Sequence, residues 1–591
     1  MRYLAITLIV VFGLVIIQPP HRSKELRLAA AYLVLCAVFV TIGLLLGVLG
    51  IELSGFAPRL IFPLGLLSAA LLLARFSRNQ PFLVRQPSAP ISIWLTPLLF
   101  LVVTGAVLLR QPSNGMRWLL DTWDATSNPG VVSTTRVLPS LDFYPNLITG
   151  WEGYPRGTHF IAASVANVFG DGAASFPVAT LKSFFSMTWL IYALIILFVG
   201  LLANRLGMTL GFSNKWNQIM AVGAQAFLLT PFAITHLLML HSLAFLGAIL
   251  SCLIVTLIVL ERTEVSLAFN SGELILSIAS GYVLVGSSYP ILLPVIVATI
   301  LLGLRSLVKQ NRLDNGQIYL SLHVFVGFIM ASVVTSMLIT MQDRVNPSGI
   351  YKAGGQLYPI DARWLILEFF LVLFLGLYCL RRRGFLSSIT PFFIVGAAVA
   401  IPLLMWILAG SRDRSFGVNY YPKKAEYASA ILCLPFALVG FAGLCRALRF
   451  HRIIGRKIGI ALMTLAPIFM LIQLWRGPIQ TFWGTHETDA VASALIDAAI
   501  SEAKIPGRSL VVDDRQALLS WNATLLSNYI DKSFWQTPGG QTANIILIQR
   551  FVSRSDTESI LDMCAFLGTN AYGAGRIVEL PQGINRYCPP N

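Results

Sequence analysis

Leu386–Gly410 reads LSSITPFFIVGAAVAIPLLMWILAG, a run of 25 residues without a charged side chain. Ile458–Trp475 is likewise free of charge. About 20 consecutive apolar residues are enough to cross the hydrocarbon core of a bilayer. A chain with many such runs buries them in lipid, so these stretches predict a bundle of transmembrane helices.

The rest of the chain continues the pattern. Of its 591 residues 56% are hydrophobic and only 12% are charged, against roughly 25% charged in a typical soluble domain. This composition excludes an ordinary soluble enzyme and a disordered chain. We predict a mainly α, polytopic protein with thirteen or fourteen spans, at about 3–18, 28–52, 59–75, 91–110, 178–203, 217–234, 243–260, 274–288, 291–306, 317–341, 364–380, 386–410, 428–446 and 458–475.

The positive charge reports orientation rather than nucleic-acid binding. The net charge is +16, yet residues 476–591 carry nine basic and eleven acidic residues, so the excess lies entirely in the membrane part. It is concentrated in short loops that fall on one side of the predicted spans, at 22–27, 75–85, 205–215, 305–312, 381–383 and 446–457. Basic loops mark the cytoplasmic side. The connections 111–177, 342–363 and 411–427 and the tail are then extracytoplasmic.

The tail, residues 476–591, alternates two patterns. Helical periodicity over Thr488–Ala503 and Ser555–Leu567 alternates with apolar runs that begin at Ser509, Asn544 and Arg576. Such alternation is typical of a small α/β domain. If this domain faces an oxidising compartment, its two cysteines, Cys564 and Cys588, can pair.

The first outer connection, 111–177, carries two carboxylates in a short helical pattern. Asp121 and Asp124 are three residues apart and share a helix face beside Trp118 and Trp123. Carboxylates held at the mouth of a membrane cavity suit a general base. The alternative is a solvated helix face on which Arg117 pairs with Asp121.

The same connection continues with polar and aromatic residues close together. They lead into a predicted helix, Phe160–Phe169, with Thr158 as its N-cap. Carboxylates bind sugar hydroxyls and aromatic rings pack on sugar C–H faces, so we predict substrate contacts from Asp142, Glu152, Tyr154, Arg156 and His159. The alternative is an irregular loop with interfacial aromatics.

The third outer connection, Ser411–Tyr427, is basic, although basic connections are expected on the cytoplasmic side. Lysine and arginine bind phosphate through charge and N–H donors. We predict a lipid-phosphate site at Lys423, Lys424 and Arg412, with Tyr420 and Tyr421 on the substrate beside them. General attraction to anionic lipids is the alternative.

Nucleotide and metal motifs are absent from the sequence. It has no G-x-x-x-x-G-K-[ST] loop, no glycine-rich dinucleotide pattern and no His/Cys cluster. We therefore expect no cofactor and no metal. Charged residues inside the predicted spans are few, Glu368 and His323 being the clearest, whereas a proton-driven transporter usually has more.

The motifs together resemble the GT-C superfamily of membrane glycosyltransferases, and more narrowly actinobacterial cell-envelope arabinofuranosyl- and mannosyltransferase-like proteins. The likeness rests on Trp123-Asp-Ala, on Tyr154-Pro-Arg-Gly-Thr-His159 and on Asn419-Tyr-Tyr-Pro-Lys-Lys. It covers the layout of residues 91–475. The chain departs from the pattern after Trp123-Asp-Ala, where Thr126-Ser-Asn-Pro replaces a stretch that often holds a histidine in related proteins.

The resemblance implies a function. An acidic residue of the first outer connection acts as the base, which falls on Asp124 with Asp121 in reserve, and the donor is a polyprenyl-phosphate sugar. The predicted protein is a plasma-membrane enzyme that transfers sugar to an envelope glycan or glycolipid on the outer face, in contact with membrane lipid and without nucleic acid. The alternatives are a lipid-linked glycan flippase or other transporter, and a structural assembly protein whose tail binds a partner.

Overall fold

The computed structural model describes most of the predicted membrane part and three short segments of the tail. The described residues are 24–49, 51, 56–78, 89–110, 132, 157–169, 176–239, 243–264, 271–299, 357, 359–383, 385–410, 413–414, 419–447, 465, 468–479, 511–513, 546–549 and 576–577.

Helices make up nearly all of these residues. They are α1 (Lys24–Val48), α2 (Phe56–Arg78), α3 (Ile91–Arg110), α4 (Gly157–Phe169), α5 (Phe176–Thr209), α6 (Asn214–Leu228), α7 (Pro231–Ala233) with a π-helix at Ile234–Met239, α8 (Leu243–Glu264), α9 (Ser271–Ser288), a 3₁₀ turn at Pro290–Leu292 with α10 (293–299), α11 (Ala362–Arg383), α12 (Phe385–Ala409), α13 (Tyr420–Ala447) and α14 (468–474) with a π-helix at Trp475–Ile479.

The long helix α5 lies at the centre of the bundle. It packs against α3, α4, α6, α8 and α13, and its large side chains Trp189, Tyr192 and Phe198 are fully buried. A helix that is apolar on every side is stable only where neighbours or lipid surround it. α5 and α8 are surrounded by protein, whereas α11 leaves much of one apolar face uncovered by the described residues.

Five of the described helices are long and apolar enough to cross a membrane, or six if α6 and α7 form one bent span. The mainly helical fold is therefore confirmed, and the helices are consistent with a multi-pass membrane protein. Twelve of the fourteen predicted spans coincide with described helical residues, several of which are shorter apolar segments. The predicted spans 3–18 and 317–341 lie outside the described residues, so the count of thirteen or fourteen stays a prediction.

The predicted span 217–234 is a broken helix. α6 and the following piece, Pro231–Leu238, which joins α7 to the π-helix, meet at an angle of 53°. Thr230 caps the second piece by accepting a hydrogen bond from the Ala233 backbone N–H at 3.2 Å, and Pro231 occupies its first turn. Proline is tolerated there because the first N–H groups of a helix have no partner within the helix. The Thr230-Pro231 dipeptide thus explains the position of the break.

α13 begins earlier than the sequence pattern predicts. We predicted a loop up to Tyr427 and a span from 428, but the helix starts at Tyr420. Asn419 precedes it with a positive φ of 51°, and Pro422 falls in the first turn, where it costs no hydrogen bond. Charged residues near the start of the helix interrupt its apolar run, so the sequence pattern does not show where the helix begins. Lys423 and Lys424 therefore belong to the start of helix α13, a candidate span, rather than to a loop.

Three short strands are described in the tail. β1 (Val511–Asp513), β2 (Ile546–Gln549) and β3 (Arg576–Ile577) pair in parallel in that order. They fall on the three segments predicted as strands. The helices predicted in the tail and Cys564 and Cys588 lie outside the described residues, so the α/β class of this domain stays a prediction.

Candidate functional site

The helix ends meet at two opposite ends of the bundle. At one end the start of α4 contacts the end of α9, and the start of α13 contacts the start of α8. At the other end Arg446, at the close of α13, donates to the Gly211 carbonyl at 3.1 Å. The residues of the first end all belong to predicted outer connections and their flanking helix ends. We call this end, where both lysines lie, the basic end.

Lys424 lies in a cage of aromatic rings at the basic end. Its ammonium group donates to the Tyr420 hydroxyl at 2.8 Å. It also lies 5.3 Å from the ring centre of Phe245, 5.8 Å from that of Tyr289 and 4.7 Å from that of Tyr420. An ammonium above aromatic faces is attracted by their negative π-surfaces. Three separate elements, α8, the turn after α9 and α13, thus hold one cation.

Lys423, the preceding residue, points to a different neighbour. Its side chain is fully buried, and its ammonium group donates to the Leu357 carbonyl at 3.2 Å. Leu357 belongs to the segment that leads into α11. Burying an ammonium is costly unless its N–H groups are hydrogen-bonded. The two lysines are consequently fixed by partners on different sides of α13.

A third charged cluster surrounds Glu426. Both carboxylate oxygens of Glu426 contact Arg414 at 2.8 Å, and Trp406 donates its indole N–H to Oε1 at 2.8 Å. Arg414 also donates to the Ile360 carbonyl at 2.7 Å. The paired oxygens and the planar guanidinium give the two-pronged geometry that makes such pairs strong and directional. Arg414 belongs to the basic connection Ser411–Tyr427, but its pairing with Glu426 was not predicted.

The Tyr154–His159 motif reaches the same end through its last three residues. Thr158 donates its backbone N–H to the Ser288 hydroxyl at 3.1 Å and shares a 2.8 Å hydrogen bond with it through its own hydroxyl. Helix α4 starts at Gly157, so Thr158 lies inside the first turn and the predicted N-cap assignment is wrong. Gly247 of α8 leaves room for Thr158, because a Cβ at position 247 would lie only 2.6 Å from the Thr158 hydroxyl oxygen.

Ser288 is followed directly by Tyr289, one wall of the Lys424 cage. The chain around Thr158 and the chain around Lys424 are therefore linked through two consecutive residues. His159 is fully buried in this packing. Tyr420 is buried and Tyr421 half-buried, with their rings edge to face at 5.4 Å.

Aromatic contacts extend the site towards the broken span. Tyr427 of α13 is buried and stacks on Phe232 at 5.9 Å. His236, in the π-helical turn after α7, lies 4.5 Å from Phe232 and 6.1 Å from Tyr427. His236 belongs to none of the sequence motifs described above, although π-helical turns often occur at functional sites. In the sequence, the Thr230-Pro231 dipeptide indicates only the helix break that precedes His236.

The remaining predicted site residues lie outside the described residues. These are Asp121, Asp124, Asp142, Glu152, Tyr154, Arg156 and Arg412. The structure thus places the last three residues of the second motif near the third and leaves the first as a prediction. At the edge of the same end, the exposed Arg363 pairs with Asp361, and its hydrogen bonds hold the pKa of the Asp361 carboxyl below its usual range.

The described residues contain no group of three or more His, Cys, Asp or Glu side chains able to hold a metal ion. Comparison with known proteins adds no relative: no family model, no curated protein and no solved structure matches the chain.

Proposed function

We propose that this protein is an inverting, GT-C-like membrane glycosyltransferase. It takes a sugar from a polyprenyl-phosphate donor and transfers it to a cell-envelope glycan or glycolipid on the outer face of the plasma membrane. The proposal includes thirteen or fourteen spans, an outward basic end and an extracytoplasmic α/β tail over 476–591. It requires no cofactor and no metal.

One observation carries the proposal. Two buried lysines, Lys423 and Lys424, lie in the first turns of α13, and the aromatic cage of Lys424 includes Tyr289, the residue after Ser288. In a bilayer, the phosphate of a polyprenyl phosphate lies between the headgroups and the hydrocarbon, where the end of a transmembrane helix also lies. Lysine N–H groups bind phosphate oxygens through charge-assisted hydrogen bonds. Aromatic side chains around Lys424 suit the apolar lipid and the sugar ring that flank this phosphate.

The proposed chemistry is a single displacement. Asp124 removes the proton from the acceptor hydroxyl while its oxygen attacks the anomeric carbon. The bond between that carbon and the phosphate oxygen breaks, and its electron pair leaves with the lipid phosphate. Lys423 and Lys424, with Arg412, stabilise the negative charge on the leaving phosphate. The proposed substrate contacts are Asp142, Glu152, Tyr154, Arg156, His159, Tyr420 and Tyr421.

The test is transfer by purified protein. Reconstituted vesicles are supplied with a radiolabelled polyprenyl-phosphate pentose or hexose and an envelope glycan acceptor. We expect label to appear in the acceptor and an equal amount of polyprenyl phosphate to be released. Absence of transfer with every such donor, although the protein binds the donor, contradicts the proposal.

A second candidate, a lipid-linked glycan flippase, is favoured by one observation. Lys423, Lys424 and Glu426 lie within the helix of a span rather than in a loop, and buried charges within spans are common in transporters. A flippase moves a labelled lipid-linked glycan between leaflets without changing it. Recovery of intact donor in the opposite leaflet, with no transfer to acceptor, supports this alternative.

A further inference from the structure

Arg414 joins three segments of the chain at the basic end. Its guanidinium contacts both oxygens of Glu426 on α13 and the Ile360 carbonyl ahead of α11. Its own segment links α12 to α13. The Trp406 ring of α12 lies 5.5 Å from the guanidinium carbon and shares the Glu426 carboxylate. One side chain therefore fixes the relative positions of α12, α13 and the segment before α11.

Lys423 depends on two of those segments. Its backbone is on α13, three residues before Glu426, and its ammonium group is held by Leu357, three residues before Ile360. Moving Ile360 relative to α13 would move the Leu357 carbonyl and, with it, the ammonium group. We infer that the Arg414–Glu426 pair positions Lys423 for the phosphate of the polyprenyl donor, an inference that rests on the proposed function.

The negative charge of Glu426 by itself would weaken phosphate binding, which is opposite to the effect of positioning Lys423. The Glu426 carboxylate attracts the Lys423 ammonium, and Arg414 repels it. A carboxylate near a phosphate site weakens phosphate binding through repulsion. If Glu426 acted only by its charge, its neutralisation would strengthen phosphate binding. If it positions Lys423, neutralisation loosens the pair and weakens binding. The sign of the change separates the two roles.

Arginine is the residue this role requires. A planar guanidinium presents its N–H donors in a rigid fork that matches two carboxylate oxygens, whereas a lysine ammonium is a compact point charge on a flexible stem. The Glu426 side chain is almost completely buried, while that of Arg414 is about one third exposed. Arg414→Lys keeps the charge and removes the geometry, so it tests positioning without altering net charge.

The experiment compares two lipids in detergent-solubilised full-length protein. The probes are a short-chain polyprenyl phosphate and the uncharged polyprenol of the same length, and the readout is the ratio of their affinities. We expect Arg414→Lys and Glu426→Gln each to lower this ratio by about tenfold, the loss of one well-placed charge-assisted hydrogen bond. Binding of the polyprenol should stay near that of the unmodified protein.

The matched control is Arg363→Lys. Arg363 forms the exposed Asp361 pair at the same end of the bundle, and an exposed pair contributes little. Its variant should keep the ratio unchanged. A ratio that rises in Glu426→Gln, or stays unchanged in Arg414→Lys, overturns the inference. A parallel loss of polyprenol and phosphate binding, with a lower melting temperature, assigns the pair a merely structural role and also overturns it.

Failure of the proposed function gives a different result. In that case the unmodified protein shows no preference for polyprenyl phosphate over polyprenol. If the unmodified protein has that preference and the variants retain it, only the positioning role is wrong.

Discussion

The Lys424 ammonium is held by side chains from helices that are far apart in the sequence. Its own helix supplies Tyr420, but Phe245 and Tyr289 come from α8 and from the turn after α9. The basic character of Asn419-Tyr-Tyr-Pro-Lys-Lys was visible in the sequence, because basic residues in an outer connection break the charge rule. Its aromatic cage was not, since no local pattern tells which apolar residues of other spans share its depth.

Replacing Lys424 by methionine tests whether the caged cation binds phosphate. Methionine keeps the unbranched shape and fills an apolar cage. An apolar side chain in this cage also avoids the cost of burying a charge. We expect Lys424→Met to keep its melting temperature and to bind polyprenyl phosphate about ten- to a hundredfold more weakly, as for a lost hydrogen bond to a charged group.

Tyr420→Phe is the control for that variant. It removes the hydroxyl that accepts from Lys424 at 2.8 Å but keeps both the ring and the cation. Phosphate binding should weaken less than in Lys424→Met. Unchanged phosphate binding by Lys424→Met would assign the cage a purely structural role.

Asp124→Asn tests the proposed base. The amide keeps the shape and one hydrogen-bonding oxygen of the carboxylate but cannot take the acceptor proton. A general base contributes roughly 10²–10⁴-fold to the rate, so we expect kcat to fall by about that factor while donor binding is retained. Asp121→Asn is the matched control three residues earlier. Loss of transfer in Asp121→Asn alone would move the base to that residue.

Helix boundaries illustrate which local signals a sequence carries. The Thr230-Pro231 break and the early start of α13 both place proline in a first helical turn, where sequence rules allow it. The apolar runs predicted the helical segments well because hydrophobic length is a property of one segment. The start of α13 was missed because charged residues interrupt its apolar run, and α4 began earlier because Thr158 pairs with Ser288 rather than capping the helix.

Close helix packing gives a second testable feature. A Cβ at Gly440 of α13 would collide with the Leu371 backbone carbonyl of α11. Gly440→Ala should force the two helices apart and destabilise the protein by about 1–3 kcal/mol, as overpacked cores do. Thermal unfolding in detergent measures this change.

Gly396→Ala on α12 is the matched control. Nothing lies within 4 Å of a Cβ at that position, and alanine is the better helix former by up to about 1 kcal/mol. The control should be as stable as the unmodified protein or slightly more stable. Equal stability of the two variants would mean that α11 and α13 do not approach closely at Gly440.

Across the whole molecule, the predicted orientation and the packing agree on which helix ends lie together. Residues from the predicted outer connections meet around Lys424 and Arg414, while Arg446 and Gly211, from two predicted inner loops, contact each other at the opposite end. The positive-inside pattern anticipated this grouping because it counts charges loop by loop. It contains no information on which helices are neighbours, so the central place of α5 emerged only from the structure.

Cysteine labelling on intact cells tests which end faces outward. Arg363 lies before the first apolar turn of α11 with 89% of its side chain exposed, and Arg446 is exposed at the opposite end. If basic loops are cytoplasmic, Arg363→Cys should react with a membrane-impermeant maleimide on intact cells, and Arg446→Cys only after permeabilisation. Labelling of the unmodified protein gives the baseline from its own cysteines. The reverse pattern would place Lys423, Lys424 and Arg414 on the cytoplasmic side, where an outer-leaflet donor cannot reach them, and would exclude the proposed outer-face transfer even if the protein binds polyprenyl phosphate in detergent.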